Sequence, residues 1–346
     1  MSKIENQKRK PNVILILTDD QGYGDLNFHG NEKLDTPYLN EMKTQAIEFT
    51  HFYVSPLCAP TRASVLTGRY HPRTGTLTTE QNLETFKADE VTIAQGLKKY
   101  GYKTGCFGKW HNGCFYPHNP KGKGFDEFLG FYGGFTQNYF DPVLFNIGDK
   151  QIKTEGFITD VLTEYAIKFI ENNQCNPFFC FIPYNACHTP IQCPDRLFNK
   201  YKSRGLDDYN AGIYAMLENV DSNIQKIIDK IEDLKINEDT IVIFLSDNGA
   251  NMLPPFFMRY NARLRGFKGT IHEGGNRVPM FIKWDNHLCK DIEIDKIAAH
   301  IDLFPTIFDL CGLDLPKTQE LDGRSLVPLL KQKSDEWSDR TLYTHV

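Results

Sequence analysis

Long apolar runs are missing from this 346-residue chain. Near the N-terminus, "PNVILILTDD" holds only the short run Val13–Leu17, against about 20 apolar residues for a helical membrane span and roughly 7–15 for a secretory leader. As written, the chain reads as soluble and cytoplasmic, with no membrane partner. A periplasmic or secreted protein would need a leader removed from this sequence. Basic stretches are also missing beyond Lys8–Lys10, and 39 Lys and Arg against 44 Asp and Glu give a net charge of -5. Wrapping of nucleic acid is thereby excluded, while a local basic pocket for one anionic group is not. The nine cysteines, at 58, 106, 114, 175, 180, 187, 193, 289 and 311, contain no CxxC pair and are odd in number. They read as reduced, buried small hydrophobes and not as a disulfide framework. Cys175, Cys180, Cys187 and Cys193 lie near one another in sequence, but their gaps are too wide for paired zinc ligands. Internal repeats and low-complexity segments are absent.

What is present is an alternation of short β-rich apolar runs with amphipathic helical segments, the pattern of an α/β fold whose mostly parallel central sheet is covered by helices on both faces. The runs predict strands at Val13–Leu17, Lys103–Phe107, Phe178–Ile182, Ile241–Leu245 and Val278–Trp284. Helical spacing of Ile213, Met216, Leu217, Val220, Ile224, Ile227, Ile228, Ile231 and Leu234 predicts a long helix over Tyr209–Leu234. Shorter helices are expected over Thr36–Ala46, Thr92–Tyr100, Ile158–Asn172 and Ala299–Leu310. The glycine- and aromatic-rich stretch Gly122–Phe140 reads as a long surface excursion that shapes a pocket.

In open parallel sheets ligands bind beyond the carboxyl ends of the strands. After Val13–Leu17 comes "TDDQGYGD", with Asp19 and Asp20, and after Ile241–Leu245 comes "SDNGA", with Asp247 and Asn248. Each motif alone is also ordinary turn chemistry. Two at matching strand ends gather carboxylates that would repel one another unless a cation joined them, and all-oxygen donors suit Ca²⁺ or Mg²⁺ better than zinc. Other strand ends offer Lys109 and His111 in "GKWHNG" and His188 in "PYNACHTP", while Lys268 lies in the loop "RGFKGTIHEGG" before the Val278 strand. Two lysines and two histidines facing a divalent cation describe a pocket for a tetrahedral oxyanion. His29, His71 and His272 are weaker candidates, with His71 a supporting residue behind the segment that follows.

That segment is "LCAPTRASVLTGRY", Leu57–Tyr70. Pro60 suits a first helical turn, so Cys58 stands at a helix N-terminus where free N–H groups and the macrodipole favour negative charge. Arg62 adds a guanidinium one turn on. By this reading alone Cys58 is a reactive cysteine.

The same segment resembles the sulfatase signature, Cys-x-Pro-x-Arg followed by Thr-Gly-Arg, and the resemblance extends through "PNVILILTDDQGYGD", "GKWH", "SDNGA", "RGFKGTIHEGGNRVP", "HIDLFPTIFDLCG" and "LDGRSLVPLL" in family order. It implies an alkaline-phosphatase-like fold and a sulfuric ester hydrolase in which Cys58 is oxidised to formylglycine by a maturation enzyme. It also implies one Ca²⁺ on Asp19, Asp20, Asp247, Asn248 and the modified Cys58. By similarity, Arg62 and Lys109 steady the formylglycine, His111 takes the proton that drives sulfate expulsion, and His188 and Lys268 lie at the bridging oxygen, with His188 the general acid. The substrate expected is a small sulfated molecule, a sugar by family habit. Residues 1–330 would form the catalytic domain and 331–346 the start of a small C-terminal antiparallel subdomain that is otherwise missing. Two other readings remain open at this point: a related phosphodiesterase or phosphonate hydrolase, and a non-catalytic remnant.

Overall fold

The run Val13–Leu17 forms the centre of strand β1 (Asn12–Thr18), every residue of which is buried. The computed structural model describes residues 9–80, 82–252 and 259–346; the basic start through Lys8 lies outside them. The remaining strands are β2 (Ile47–Phe49), β3 (Phe52–Tyr53), β4 (Lys103–Lys109), β5 (Glu127–Phe131), β6 (Val143–Asn146), β7 (Gln151–Lys153), β8 (Phe178–Pro183), β9 (Thr240–Ser246), β10 (Met280–Lys283), β11 (Ile292–Ile294) and β12 (Ala298–Ala299). Ten of them form one sheet in the order β11-β2-β10-β9-β1-β8-β4-β5-β6-β7. Its central block, β9-β1-β8-β4-β5, is parallel throughout.

Alternation along β1 divides the core. Ile14 and Ile16 pack on one face with the helices Ile158–Asn173 and Asp208–Asp233, and Val13, Leu15 and Leu17 pack on the other with the helices Cys58–Thr67 and Leu303–Leu310. A strand apolar on both faces is what a doubly covered parallel sheet demands. The long helix is started by Asp207, whose side chain accepts from Asn210 N at 3.0 Å.

Three sequence expectations need correction. The Val278–Trp284 strand is shorter, Met280–Lys283, and runs antiparallel to β9. The expected helix Ala299–Leu310 is regular only from Leu303, since β12 and a 3₁₀ turn, His300–Asp302, precede it. Gly122–Phe140 is not wholly a surface excursion, because it contributes β5, whose Phe128, Leu129 and Phe131 are buried. Its Gly130 and Gly108 of β4 allow the sheet to close up there: a Cβ on Gly130 would lie 1.8 Å from Gly108 O, and one on Gly108 would lie 2.0 Å from Pro183 O. Among the described residues no helix is long and apolar enough to cross a membrane. After a short helix at Val327–Leu330 the chain makes one 3₁₀ turn, Ser334–Glu336, and returns to the body through an Arg340–Asp302 ion pair and Tyr343 N, which donates to Tyr70 Oη at 3.1 Å.

Candidate active site

The register places the acidic motifs together. Thr18 pairs with Ser246 at the ends of β1 and β9, so Asp19 and Asp247 emerge side by side, and Asp247 N donates to Thr18 O at 2.9 Å. On the other flank of β1, the segment after β8 turns so that Asp19 N donates to Ala186 O at 2.9 Å, and β4 ends on Lys109. Asp20 and His111 have positive φ, 60° and 58°. Each such backbone costs on the order of 1 kcal/mol for a non-glycine residue and is held here by the surrounding strands.

Cys58 is the first residue of the helix Cys58–Thr67, which is buried along its whole length. Arg62, one turn on, is fully buried: Nε and Nη2 donate to Asp247 Oδ2 at 3.0 and 2.8 Å, and Nη1 donates to Lys109 O at 2.9 Å. Lys109 Nζ is paired with Asp19 Oδ2. Lys268 Nζ donates to Asp20 Oδ1 at 2.5 Å, and Asn248 Nδ2 donates to the same oxygen at 2.8 Å. His111 Nδ1 lies 3.3 Å from Cys58 Sγ. His188 engages Thr189 O through Nδ1 at 2.7 Å, and a ring nitrogen of His188 falls within 4.8 Å of carboxylate oxygens of Asp19 and Asp20. All ten residues singled out at the strand ends and in the cysteine segment therefore converge on one crevice.

Burying these charges shifts their titration. Burial, reinforced by the charge of Asp19, pushes Asp247 up to about 6 although Arg62 and Lys109 oppose it. At Asp20 burial acts upward, but Lys268 and the remaining partners outweigh it and hold the carboxyl below the usual range. Burial, with Lys109 and Arg62 nearby, takes His111 well below its ordinary value, and burial with Lys109 does the same in direction for His188. The Cys58 thiol is pushed up by burial despite Lys109 and Lys268. The helix end and the guanidinium expected beside Cys58 are both in place, while burial acts against the thiolate form.

Three buried oxygens in the crevice, Asp19 Oδ1, Asp20 Oδ2 and Asn248 Oδ1, have no hydrogen-bond partner. An orphaned buried acceptor costs about 1–3 kcal/mol, more when charged, so three in one place form a donor set for a ligand. Asp19, Cys58 and Asp247, and again Asp19, Asp20 and His188, offer atoms close enough to share one ion. Hard oxygen donors of this kind fit Ca²⁺ or Mg²⁺.

Comparison with known proteins decides the family. The sulfatase family model matches residues 11–313. The chain belongs to the sulfatase family. It is 29% identical over 382 residues to the uncharacterized sulfatase YdeN of Escherichia coli (strain K12), covering 94% of this chain and 67% of that protein. It is 30% identical over 358 residues to human N-acetylgalactosamine-6-sulfatase, covering 93% of this chain and 66% of that protein. The chain thus spans about two thirds of the length of these curated relatives. Among solved structures it superimposes on Ps i-CgsB in complex with k-i-k-neocarrahexaose with a TM-score of 0.87 at 31% identity, over 94% of this chain and 77% of that one. The alkaline-phosphatase-like α/β architecture expected from the sequence is the one seen in these sulfatase structures.

In this sulfatase the weaker histidines have other work. His29 is paired with Glu48 at 2.6 Å and with Tyr23 O at 2.6 Å, and His71 Nδ1 meets Thr76 O at 2.8 Å beneath the helix that carries Cys58. His272 occupies the N-cap position of the short helix Glu273–Asn276 without a side-chain hydrogen bond to it. Sequence reasoning missed Asp25 and Arg259. Arg259 grips Asp25 through Nε at 2.9 Å and Nη2 at 2.6 Å, and Nη2 also donates to Asp20 O at 2.8 Å, so the pair clamps the loop that carries Asp20. The last Asp of "DDQGYGD", Asp25, was visible as a carboxylate; its partner, 234 residues away, follows no local pattern.

Proposed function

We propose that the chain hydrolyses a sulfate ester carried on a carbohydrate, using formylglycine made from Cys58 and one divalent cation, Ca²⁺ in preference to Mg²⁺, held by Asp19, Asp20, Asp247 and Asn248. The observation that carries this reading is the set of three orphaned oxygens beside a cysteine at a helix N-terminus. Its support from relatives is that human N-acetylgalactosamine-6-sulfatase and Ps i-CgsB in complex with k-i-k-neocarrahexaose are among the proteins it resembles. The net reaction takes an ester and water to an alcohol and sulfate. The bound cation would supply Lewis acidity toward a sulfate oxygen, and the hydrated aldehyde would supply the attacking oxygen. Its formation converts the CH₂–SH of Cys58 to CH=O, with sulfur leaving as sulfide and the oxygen coming from an external oxidant of the dioxygen class, an oxidation left to a separate maturation enzyme.

The chain's own groups do the rest. Arg62 and Lys109 orient the acidic side chains and place positive charge where sulfate charge develops. His111, within reach of the side chain at position 58, accepts its proton. With Nδ1 of His188 occupied by Thr189 O, Nε2 remains to deliver a proton to the departing alcohol oxygen, next to Lys268. Mass spectrometry of the peptide containing Cys58, isolated from the native host, tests the reading together with turnover of an aryl sulfate against an aryl phosphodiester. An aldehyde and preferred sulfate turnover are expected. An unmodified thiol, preference for the phosphodiester, or Ca²⁺ binding without any turnover would overturn it in favour of a hydrolase of another ester or a non-catalytic chain.

A further inference from the structure

Phe135 stands out among the aromatic residues near the crevice: its side chain is large and apolar, yet it is 57% exposed. Its ring lies nearly parallel to the imidazole of His188, with 11° between planes and 6.2 Å between centroids. One residue earlier, the backbone presses on the other histidine, because a Cβ on Gly134 would lie 2.8 Å from His111 Cε1 and Nε2. Phe135 is therefore at the lip of the crevice, between the two histidines that handle protons.

The mount is firm. Tyr139 Oη donates to His188 O at 3.1 Å and to Thr189 O at 3.0 Å, Tyr139 N donates to Gln192 Oε1 at 2.8 Å, and Gln192 Nε2 donates to Gln137 O at 2.8 Å. An exposed ring held by a braced loop is a preorganised contact surface. Resting on the sulfatase reading above, we propose that Phe135 is the platform against which the sugar ring of the substrate lies while its sulfate occupies the cation-lined crevice. The surroundings favour a pyranose over a sterol or another wholly apolar alcohol. Phe135 is a single ring flanked by exposed Gln137, Asn138 and Thr189, which suits a molecule with one apolar C–H face and a hydroxyl rim. A sterol would need a continuous apolar wall.

Binding is measured in the Cys58→Ala background, where no turnover intervenes, with N-acetylgalactosamine 6-sulfate, a sulfated neocarrahexaose and inorganic sulfate as probes. Adding Phe135→Ala is expected to weaken one or both sugar sulfates about five- to tenfold, the range of an aromatic contact, and to leave inorganic sulfate unchanged. Phe135→Tyr should retain the sugar affinity. Equal weakening of inorganic sulfate would show that Phe135 only props His188, and unchanged sugar binding would show that it touches no sugar; either overturns the proposal. The sulfatase reading fails separately, if the wild-type chain carrying its aldehyde hydrolyses no sulfate ester, and the sugar-binding comparison then still decides the role of Phe135.

Discussion

Asp20 and Asp25 stand five residues apart in one loop, both buried, yet the two ends of the loop behave differently. Both oxygens of Asp25 are satisfied: Oδ1 accepts from Arg259 Nε at 2.9 Å, and Oδ2 accepts from Arg259 Nη2 at 2.6 Å and from Gly22 N at 2.7 Å. At Asp19 and Asp20 one oxygen of each faces a lysine and the other faces nothing. Burial and charge are common to both ends, so neither distinguishes a structural carboxylate from a functional one. The distinction lies in saturation. A closed ion pair holds the chain, whereas an open one keeps an acceptor that a further partner can use.

The sharpest way to test the open end is to remove the group it serves. Cys58→Ala should reduce sulfate-ester turnover by more than about a thousandfold while leaving the melting temperature nearly unchanged, because the truncated side chain faces the crevice. Activity retained by that variant would refute the assignment of position 58. The next effect separates the two ends directly. Arg259→Met leaves Asp25 buried without its cation and should cost about 3–5 kcal/mol in denaturant unfolding, with one Ca²⁺ per folded chain still measured by calorimetry. Asp19→Ala, which removes one of the open oxygens, should instead abolish Ca²⁺ binding. If Arg259→Met lost the ion and Asp19→Ala kept it, saturation would be the wrong criterion.

The sequence made the open end legible and hid the closed one, for a physical reason. Asp19, Asp20, Asp247 and Asn248 follow apolar runs that can only be central strands, and parallel strands deliver their next residues to a common edge. Lys109, His111 and His188 are found by the same rule. Arg259 follows no strand, and its grip on Asp25 depends on tertiary geometry that no local pattern encodes. Phe135 was hidden by composition: glycine-rich "LGFYGG" resembles a loop, although its glycines serve a close strand approach between β4 and β5. At Cys58 the helix start and the guanidinium could be read from sequence, whereas the complete burial that opposes a thiolate could not.

A smaller effect comes from the cation alone. If the orphaned oxygens are the cation's ligands, Ca²⁺ at about 100 times its Kd should stabilise the wild-type chain by about 2.7 kcal/mol over chelated protein. Thermal melting with Ca²⁺ or with chelator reads this difference. The difference should vanish in Asp19→Ala and persist in Arg259→Met; a Ca²⁺ shift that survives in Asp19→Ala would place the ion elsewhere.

The least effect per unit of change concerns a third kind of buried aspartate, one with neither a cation nor an open oxygen facing a ligand. Asp221 accepts Leu39 N at 2.8 Å and Tyr38 N at 3.2 Å, at the first turn of the helix Pro37–Thr44. Burial pushes it up to about 7, the two backbone donors pull the other way without prevailing, and the charges of Glu218 and Asp35 add to the rise. Those two acids are themselves bridged by Lys200. With the folded value above the ordinary 3.8, the folded chain binds the proton more tightly than the unfolded chain. The resulting stability is fully present below about pH 4 and is lost as pH rises through about 7, with a slope of at most about 1.4 kcal/mol per pH unit. Asp221→Asn keeps one acceptor oxygen, for Leu39 N, gives up the acceptor of Tyr38 N, and removes the titration, so its unfolding free energy should be lower by a constant amount but lack the pH-dependent component between pH 4 and 7. Identical slopes in the two proteins would mean that Asp221 is ionised in the fold, and that burial without a cation is tolerated more easily than the contrast between Asp20 and Asp25 implies.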